Sequence, residues 1–233
     1  IDEIIEASYG IMIARGDLGI EVPIERIPGI QRMIIKKCIQ AKKPVIVATQ
    51  MLHTMINNPR PTRAEVTAIY YRTDALMLSG ETASGKYPVE AVKTMAAIAE
   101  QAEKDKMREN DIPVPLSENC NVSEFLSKQA IEATERLGVR GIITDSVNGR
   151  TARNLAAFRG PNPVLAICVK ERTQRLLALS YGVIPVYQHE KLQPQDQFVA
   201  ALRMLRQKGY LSMDDKIAYL SGSFGRGGGT TFL

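Results

Sequence analysis

The sequence predicts an α/β protein in which helices cover parallel β-sheets, and three observations lead to this prediction. Short apolar runs alternate with longer segments of helical periodicity along all 233 residues. The runs are continuously apolar, which is typical of strands buried on both faces. Hydrophobic residues make up 45% and charged residues 24% of the chain, an ordinary globular balance that excludes a disordered chain.

The first half of the chain predicts three βα units. The expected strands, each a short apolar run, are 10–14, 44–49 and 74–78. The expected helices are 28–41, near 63–71, and about 88–108. Pro28 suits the first turn of its helix because a proline lacks only an N–H that would be unpaired there. Two prolines and several polar residues interrupt the pattern at 109–121, so we expect domains at 1–112 and 113–233.

The second half predicts another α/β domain with a roughly five-stranded, mostly parallel sheet. Asn121 followed by Glu124 resembles the capping box that begins a helix. The expected helices are 122–137, 150–159, 171–180 and 195–208. The expected strands are 141–144, 164–168, 183–187, 216–221 and 230–233.

The net charge of +5 belongs entirely to the second half, because 1–112 holds equal numbers of basic and acidic residues. Seven basic residues fall within 140–175 against two acidic ones, which predicts either an anion-binding surface or a solvated face. Only 6% of residues are aromatic and no recognition motif occurs, which disfavours nucleic-acid binding.

No apolar run approaches the about 20 residues of a membrane span. Three scattered cysteines without a CxxC pair fit a cytoplasmic protein.

Polar residues follow each of the first three predicted strands. Gly16 and Asp17 follow the first strand, Thr49 follows the second, and Ser79 and Glu81 follow the third. Functional residues of such sheets lie just beyond the carboxyl ends of the strands. The convergence predicts a metal-assisted site for an anionic substrate, since Mg²⁺ prefers carboxylate oxygens. A plain Asp-Gly turn remains the alternative for the first loop.

Two loops of the second half predict a further anion site. The first combines hydroxyl groups, a glycine and an arginine at a helix start, where free N–H groups attract anions. Its candidate residues are Thr144, Ser146, Gly149, Arg150 and Thr151. The second loop, 222–229, contributes Arg226 and Gly228. Glycine-rich loops are often only turns, and the pairing of the two loops is what favours a site.

Four motifs of the first half resemble the pyruvate kinase family in order and spacing. They read IMIARGDLGIEVP, VIVATQML, NNPRPTRAEV and DALMLSGETASGKYPVEAV, and the resemblance continues to the last residue. The family implies a (β/α)₈ barrel, of which this chain would hold the last three βα units, and a C-terminal α/β domain. It implies phosphoryl transfer from phosphoenolpyruvate to ADP, giving pyruvate and ATP, with Mg²⁺ (or Mn²⁺) and K⁺.

The resemblance also implies roles for individual residues. Asp17 matches the carboxylate ligand of Mg²⁺, and the Gly16 and Asp17 amides match groups that hold the substrate carboxylate. Thr49 matches a hydroxyl linked to proton delivery. Ser79 and Glu81 are further catalytic candidates and are expected to line the same rim. The two loops of the second half match a site for a sugar-phosphate or nucleotide effector.

The resemblance has departures as well. The family's catalytic lysine, second Mg²⁺ carboxylate and K⁺ ligands precede the matched segment, so we expect a fragment that is inactive alone. About four residues that the family usually carries after Thr67 are absent, either deleted or omitted. The family implies a cytoplasmic homotetramer without membrane or nucleic-acid partners. The rival hypothesis is a binding module that senses a phosphorylated metabolite without catalysis.

Overall fold

The chain forms two compact units, Ile1–Pro113 and Val114–Leu233. The computed structural model describes residues 1–69, 73–106, 114–118, 120–189, 194–222 and 230–232. The division falls one residue after the boundary expected from the sequence. Across these described ranges no helix is both long and apolar enough to cross a membrane.

The first unit contains a parallel sheet in the order β1-β2-β3. Its strands are β1 (Ile11–Ala14), β2 (Val45–Ala48) and β3 (Ala75–Met77). The register pairs Ala14 with Ala48, and Ala48 with Met77. The three strands therefore end at the same level, and the residues that follow them emerge along one edge. We call this the carboxyl edge.

Six α-helices are described in the first unit, and two of them occupy segments expected to be loops. The helices are α1 (Asp2–Ala7), α2 (Arg15–Glu21), α3 (Ile27–Gln40), α4 (Arg63–Ala68), α5 (Gly80–Ala83) and α6 (Pro88–Lys106). The loop predictions for α2 and α5 were wrong because glycines lower helix propensity by only about 1 kcal/mol each. The expected ends of the helices near 71 and 108 lie outside the described residues.

Helix α3 shows how its sequence pattern becomes a buried face. Ile34, Ile35, Cys38 and Ile39 are all buried, with Cys38 fully enclosed. Burial, with the Asp74 carboxylate adding to it, raises the pKa of the Cys38 thiol to about 11. Because the thiolate is the reactive form of cysteine, Cys38 acts as a small apolar core residue.

The second unit contains a five-stranded sheet in the order β6-β5-β4-β7-β8. Its strands are β4 (Gly141–Ser146), β5 (Val164–Cys168), β6 (Val183–Tyr187), β7 (Ile217–Gly222) and β8 (Thr230–Phe232). The pairs among β6, β5, β4 and β7 are parallel, and β8 runs antiparallel to β7. The prediction of an α/β class with a five-stranded, mostly parallel sheet is confirmed.

Helices cover both faces of this second sheet. They are α7 (Val122–Arg136), α8 (Arg150–Ala157), α9 (Glu171–Leu177) and α10 (Pro194–Gln207). Ile142 packs in a cluster with residues of α7, α8 and α9, whereas Ile143 packs with residues of α10. Successive strand residues point to opposite faces, so each strand supplies two apolar layers. This arrangement explains why the strands lack apolar–polar alternation.

Lys43, which lies just before β2, caps the C-terminal end of α1. The Lys43 ammonium donates to the carbonyl oxygens of Ile5, Glu6 and Ser8, each at 2.5 Å. Carbonyl groups at the end of a helix have no partner within the helix, and a cation there also favours the helix dipole. Lys43 therefore fastens α1 to the segment that leads into β2.

We predict that Lys43→Met lowers the free energy of unfolding by about 1–3 kcal/mol, because hydrogen bonds to a charged donor are lost. Urea denaturation followed by circular dichroism measures the change. Lys36→Met, at an exposed position of α3, is the matched control and is expected to leave the stability within about 0.5 kcal/mol. Equal stability of the two variants would contradict the role of Lys43.

Candidate functional site

The carboxyl edge brings together the polar residues that follow the three strands of the first unit. Gly16 and Asp17 lie in the first turn of α2, directly after β1. Thr49 follows β2, and Ser79 precedes α5 after β3. The convergence expected from the sequence therefore has its geometric basis in the parallel, level strands.

Two residues after β2 adopt a left-handed backbone conformation that non-glycine residues rarely occupy. Thr49 has φ 64° and Gln50 has φ 52°. Such positions cost about 1–3 kcal/mol each and persist only where the surroundings hold them. The Thr49 hydroxyl accepts a hydrogen bond from the Gly16 N–H at 2.8 Å, and the Arg15 guanidinium donates to the Gln50 carbonyl. The ends of β1 and β2 are thereby linked.

The contact between Gly16 and Thr49 is made by the backbone and does not depend on the missing side chain of Gly16. A Cβ at position 16 would lie 3.4 Å from the Thr49 hydroxyl oxygen, which is ordinary van der Waals contact.

The Asp17 carboxylate is exposed beside this link. Among the described residues, no group of three or more His, Cys, Asp or Glu side chains is arranged to hold a metal ion. Mg²⁺ commonly takes one or two protein carboxylates together with substrate oxygens and water. A single exposed carboxylate therefore fits one ligand of such a site, and the remaining ligands must come from elsewhere.

Glu81 is positioned differently from the expectation that it lines the rim. Its side chain is 1% exposed, and its carboxylate accepts from the Leu52 N–H at 3.0 Å and the Ser79 N–H at 2.9 Å. Burial by itself raises the pKa of this carboxyl. The backbone N–H groups of Glu81, Ser79 and Leu52 and the nearby His53 ring outweigh burial and lower the pKa below its ordinary value. The ionised carboxylate is thus enclosed and links the loops after β2 and β3.

Glu65 of α4 stabilises the segment between β2 and α4, and it is not among the residues predicted from the sequence. Its carboxylate accepts from the Thr54 N–H at 2.8 Å and hydroxyl at 2.6 Å, and from the Thr62 N–H at 2.7 Å. Thr62 and Glu65 form a capping box at the start of α4. The spacing Thr-x-x-Glu is the signal from which this cap is predictable.

The first candidate effector loop begins inside β4 rather than after it. Thr144 and Ser146 belong to this strand, which extends two residues beyond its expected end at 144. They are 0% and 3% exposed. The Ser146 hydroxyl is buried and has no hydrogen-bond partner within the described part of the chain. An unpaired buried hydroxyl costs free energy, so this position is suited to a further polar partner.

The turn from β4 into α8 requires a glycine. Gly149 has φ 81°, and a Cβ there would lie 2.8 Å from the Arg153 guanidinium. Arg150 begins α8 with its side chain exposed, and its N–H donates to the Asn148 side-chain oxygen at 3.1 Å. Thr151 follows and is half-buried. Arg226 and Gly228, predicted for the second loop, lie outside the described residues.

The basic residues of 140–175 do not all lie on one surface, so an anion-binding surface that includes all seven, one of the two predictions, is wrong. Arg140 precedes β4 and Arg159 follows α8, so both lie at the opposite end of the strand from Arg150. Arg159 is also buried, with its guanidinium 4.7 Å from the centre of the Tyr181 ring. Five of the seven basic residues remain in α8, in α9 or directly before α9, the helices that follow β4 and β5. They are Arg150, Arg153, Lys170, Arg172 and Arg175, of which Arg175 pairs with Glu171 at 3.1 Å.

Comparison with known families decides what the two units are. The family model described as pyruvate kinase, barrel domain, matches residues 1–92. The model described as pyruvate kinase, alpha/beta domain, matches residues 124–233. The chain belongs to the pyruvate kinase family.

Individual pyruvate kinases are similar along the whole chain. The enzyme of Borreliella burgdorferi is 45% identical over 240 aligned residues, which cover 100% of this chain and 50% of that protein. The one of Clostridium acetobutylicum is 44% identical, covering 99% of this chain and 50% of the protein. The one of Thermotoga maritima is 40% identical, covering 100% and 50%. The chain thus spans about half the length of these curated pyruvate kinases.

We predict that Glu65→Gln destabilises this pyruvate kinase family chain at neutral pH and much less in acid. Burial raises the pKa of Glu65, but hydrogen bonds from Thr54 and Thr62 outweigh it and lower that pKa. A lowered folded-state pKa contributes stability above the unfolded value of about 4.3, and this stability disappears as pH falls through the folded pKa. Thermal melting of both proteins from pH 7 to pH 3 measures the difference.

Glu3→Gln, an exposed substitution on α1, is the control for that series and is expected to leave the stability within about 0.5 kcal/mol. A Glu65→Gln deficit that stays constant from pH 7 to pH 3 would show that the charge of Glu65 is not what stabilises the capping box.

Proposed function

We propose that this chain is the part of a pyruvate kinase that contributes the last three βα units of the (β/α)₈ barrel and the C-terminal domain. The reaction is phosphoryl transfer from phosphoenolpyruvate to ADP, giving pyruvate and ATP in glycolysis. The observation that carries the proposal is the carboxyl edge, where Gly16, Asp17, Thr49 and Ser79 follow three level parallel strands. Membership of the family supports the same reaction.

Thr49 is suited to contact the substrate. The Thr49 hydroxyl oxygen accepts a hydrogen bond from the Gly16 N–H. The same hydroxyl group can also donate one hydrogen bond through its O–H. That O–H has no acceptor among the described residues, so it is available to a substrate oxygen or to a proton relay. We assign the backbone N–H of Asp17 to the substrate carboxylate. We propose the same role for the Gly16 N–H, which donates to Thr49 here, so that substrate binding would replace this hydrogen bond. We assign the exposed Ser79 hydroxyl to the same rim.

Asp17 is the residue of this chain that we assign to Mg²⁺ (or Mn²⁺). Its exposed carboxylate is a hard oxygen ligand at the edge where the substrate groups converge. Bound there, the metal would neutralise charge on the phosphoryl and carboxylate oxygens. Pyruvate kinases generally also use K⁺, and we assign no residue of this chain to that ion.

We predict that Asp17→Asn, in the intact protein, lowers kcat/KM by about 100-fold or more, since a metal ligand supplies several kcal/mol and about 1.4 kcal/mol is tenfold. A coupled assay with phosphoenolpyruvate and ADP over a Mg²⁺ titration measures it. Asp214→Asn, an exposed carboxylate of the second unit, is the control. Unchanged kinetics of Asp17→Asn would refute the metal assignment.

The second unit is proposed to bind a phosphorylated effector, such as a sugar phosphate or a nucleotide. Ser146 supports this proposal, because its buried hydroxyl has no partner within the described residues and lies ahead of the start of α8. Thr144, Gly149, Arg150 and Thr151 are assigned to the same site with the loop that carries Arg226 and Gly228. We also propose a cytoplasmic homotetramer, as is usual in the family.

We predict that Arg150→Ala raises the effector concentration needed for half-maximal activation about 10- to 100-fold, because a charged hydrogen bond to phosphate is lost. Fructose 1,6-bisphosphate, AMP and glucose 6-phosphate are titrated separately into the steady-state assay of the intact protein. Arg136→Ala, at the exposed end of α7, is the control. A large loss of rate without effector would contradict a purely regulatory role for Arg150.

A further inference from the structure

The buried carboxylate of Glu81 is the one ionised group of the described carboxyl edge that faces away from solvent. It is 1% exposed, while Asp17 and Ser79 are exposed. Its two oxygens accept from N–H groups of two different loops, Leu52 at 3.0 Å and Ser79 at 2.9 Å. A carboxylate so enclosed cannot touch a substrate at the rim, so its contribution must pass through the groups that it holds.

The Leu52 N–H belongs to the turn that places Thr49. That turn starts with two left-handed residues, Thr49 and Gln50, and continues with Met51 and Leu52, whose side chains are fully buried. A β-branched residue in the left-handed region is strained. The turn keeps this conformation only if contacts on both sides hold it. On one side the Gly16 N–H donates a hydrogen bond to the Thr49 hydroxyl, and on the other side the Leu52 N–H donates one to the Glu81 carboxylate.

Ser79 is held by the same carboxylate. Its N–H donates to Glu81, and its carbonyl accepts from the Thr82 and Ala83 N–H groups at the start of α5. One buried anion therefore fixes the backbone of two of the three loops of the carboxyl edge. The third loop is reached through the bond between Thr49 and Gly16.

We infer that Glu81 is a positioning residue that sets the Thr49 hydroxyl and the Ser79 backbone for the reaction, without contacting the substrate. This inference rests on the proposed function for its kinetic consequence, but its structural part does not. The ionised Glu81 carboxylate accepts one hydrogen bond at each of its two oxygens. Neither a protonated carboxyl group nor a neutral amide reproduces this arrangement. A glutamine has one oxygen and one NH₂ group, so one of the two N–H groups would face a donor instead of an acceptor.

The experiment uses the intact protein with Glu81→Gln and with Glu124→Gln as matched control. Glu124 is also buried, at 2% exposed, and accepts from the N–H and the hydroxyl of Ser117, both at 2.8 Å, in the second unit. We expect Glu81→Gln to lower kcat about 10- to 100-fold, since small misplacements of reacting groups have effects of this size. We expect Glu124→Gln to keep the wild-type kcat and to change only the melting temperature.

Amide hydrogen exchange tests the positioning role independently of turnover. Peptides covering 45–56 and 78–84 are expected to exchange faster in Glu81→Gln than in the wild type, and not in Glu124→Gln. If the wild-type protein does not convert phosphoenolpyruvate and ADP, the proposed function fails, and the exchange measurement still decides the role of Glu81. Unchanged exchange in both peptides would overturn the inference.

Combination with Thr49→Val separates positioning from a general loss of structure. If Glu81 acts partly through Thr49, the loss of kcat in the double variant is smaller than the product of the two single losses, because the two changes remove a shared interaction. Additive losses would overturn the inference.

Loss of one limb of the pH–rate profile in Glu81→Gln would also overturn the inference, because that result makes Glu81 a proton carrier. If Glu81→Gln does not fold, Glu81→Asp, which keeps the charge but shortens the reach, is measured in the same way and is expected to lower kcat.

Discussion

The hydrogen bonds that Glu81 accepts from Leu52 and Ser79 couple the loops that follow β2 and β3. A parallel sheet fixes where its strands end, but it leaves the loops beyond them free to vary. The buried carboxylate removes that freedom, since moving either loop would leave an ionised group in the interior without a partner. The geometry of the carboxyl edge therefore depends on this buried carboxylate.

Strain and rigidity are distributed unequally along this edge. The sheet below it is regular, with an in-register pairing of Ala14, Ala48 and Met77. Among the described residues of this edge, the left-handed non-glycine backbone lies at Thr49 and Gln50, where the chain turns away from β2. Left-handed residues often mark functional positions because their surroundings must over-determine them. Here the turn at Thr49 and Gln50 is held by three hydrogen bonds, which involve the Gly16 N–H, the Arg15 guanidinium and the Glu81 carboxylate.

In the second unit, the two faces of β4 carry polar residues with different surroundings. Thr144 and Ser146 lie on the face of β4 that packs with α8, where Ser146 has no partner within the described residues. Asp145 lies on the other face and accepts from the Tyr219 hydroxyl at 2.5 Å and the Ser221 hydroxyl at 2.6 Å. Burial and this bond to Asp145 both raise the pKa of Tyr219, which therefore stays a donor. Asp145 thus ties β4 to β7, the strand that leads into the glycine-rich loop.

The sequence by itself determined the α/β class, most strands and helices, and the polar residues after β1, β2 and β3, because periodicity and apolar runs are local properties. It did not reveal that α2 and α5 are helical, since their glycines suggest loops. It also grouped Arg140 and Arg159 with Arg150, although a strand and a helix carry them to opposite ends of the sheet. Only the tertiary structure decided that Glu81 is buried, because its partners at Leu52 and Ser79 come from two loops that chain folding brings together.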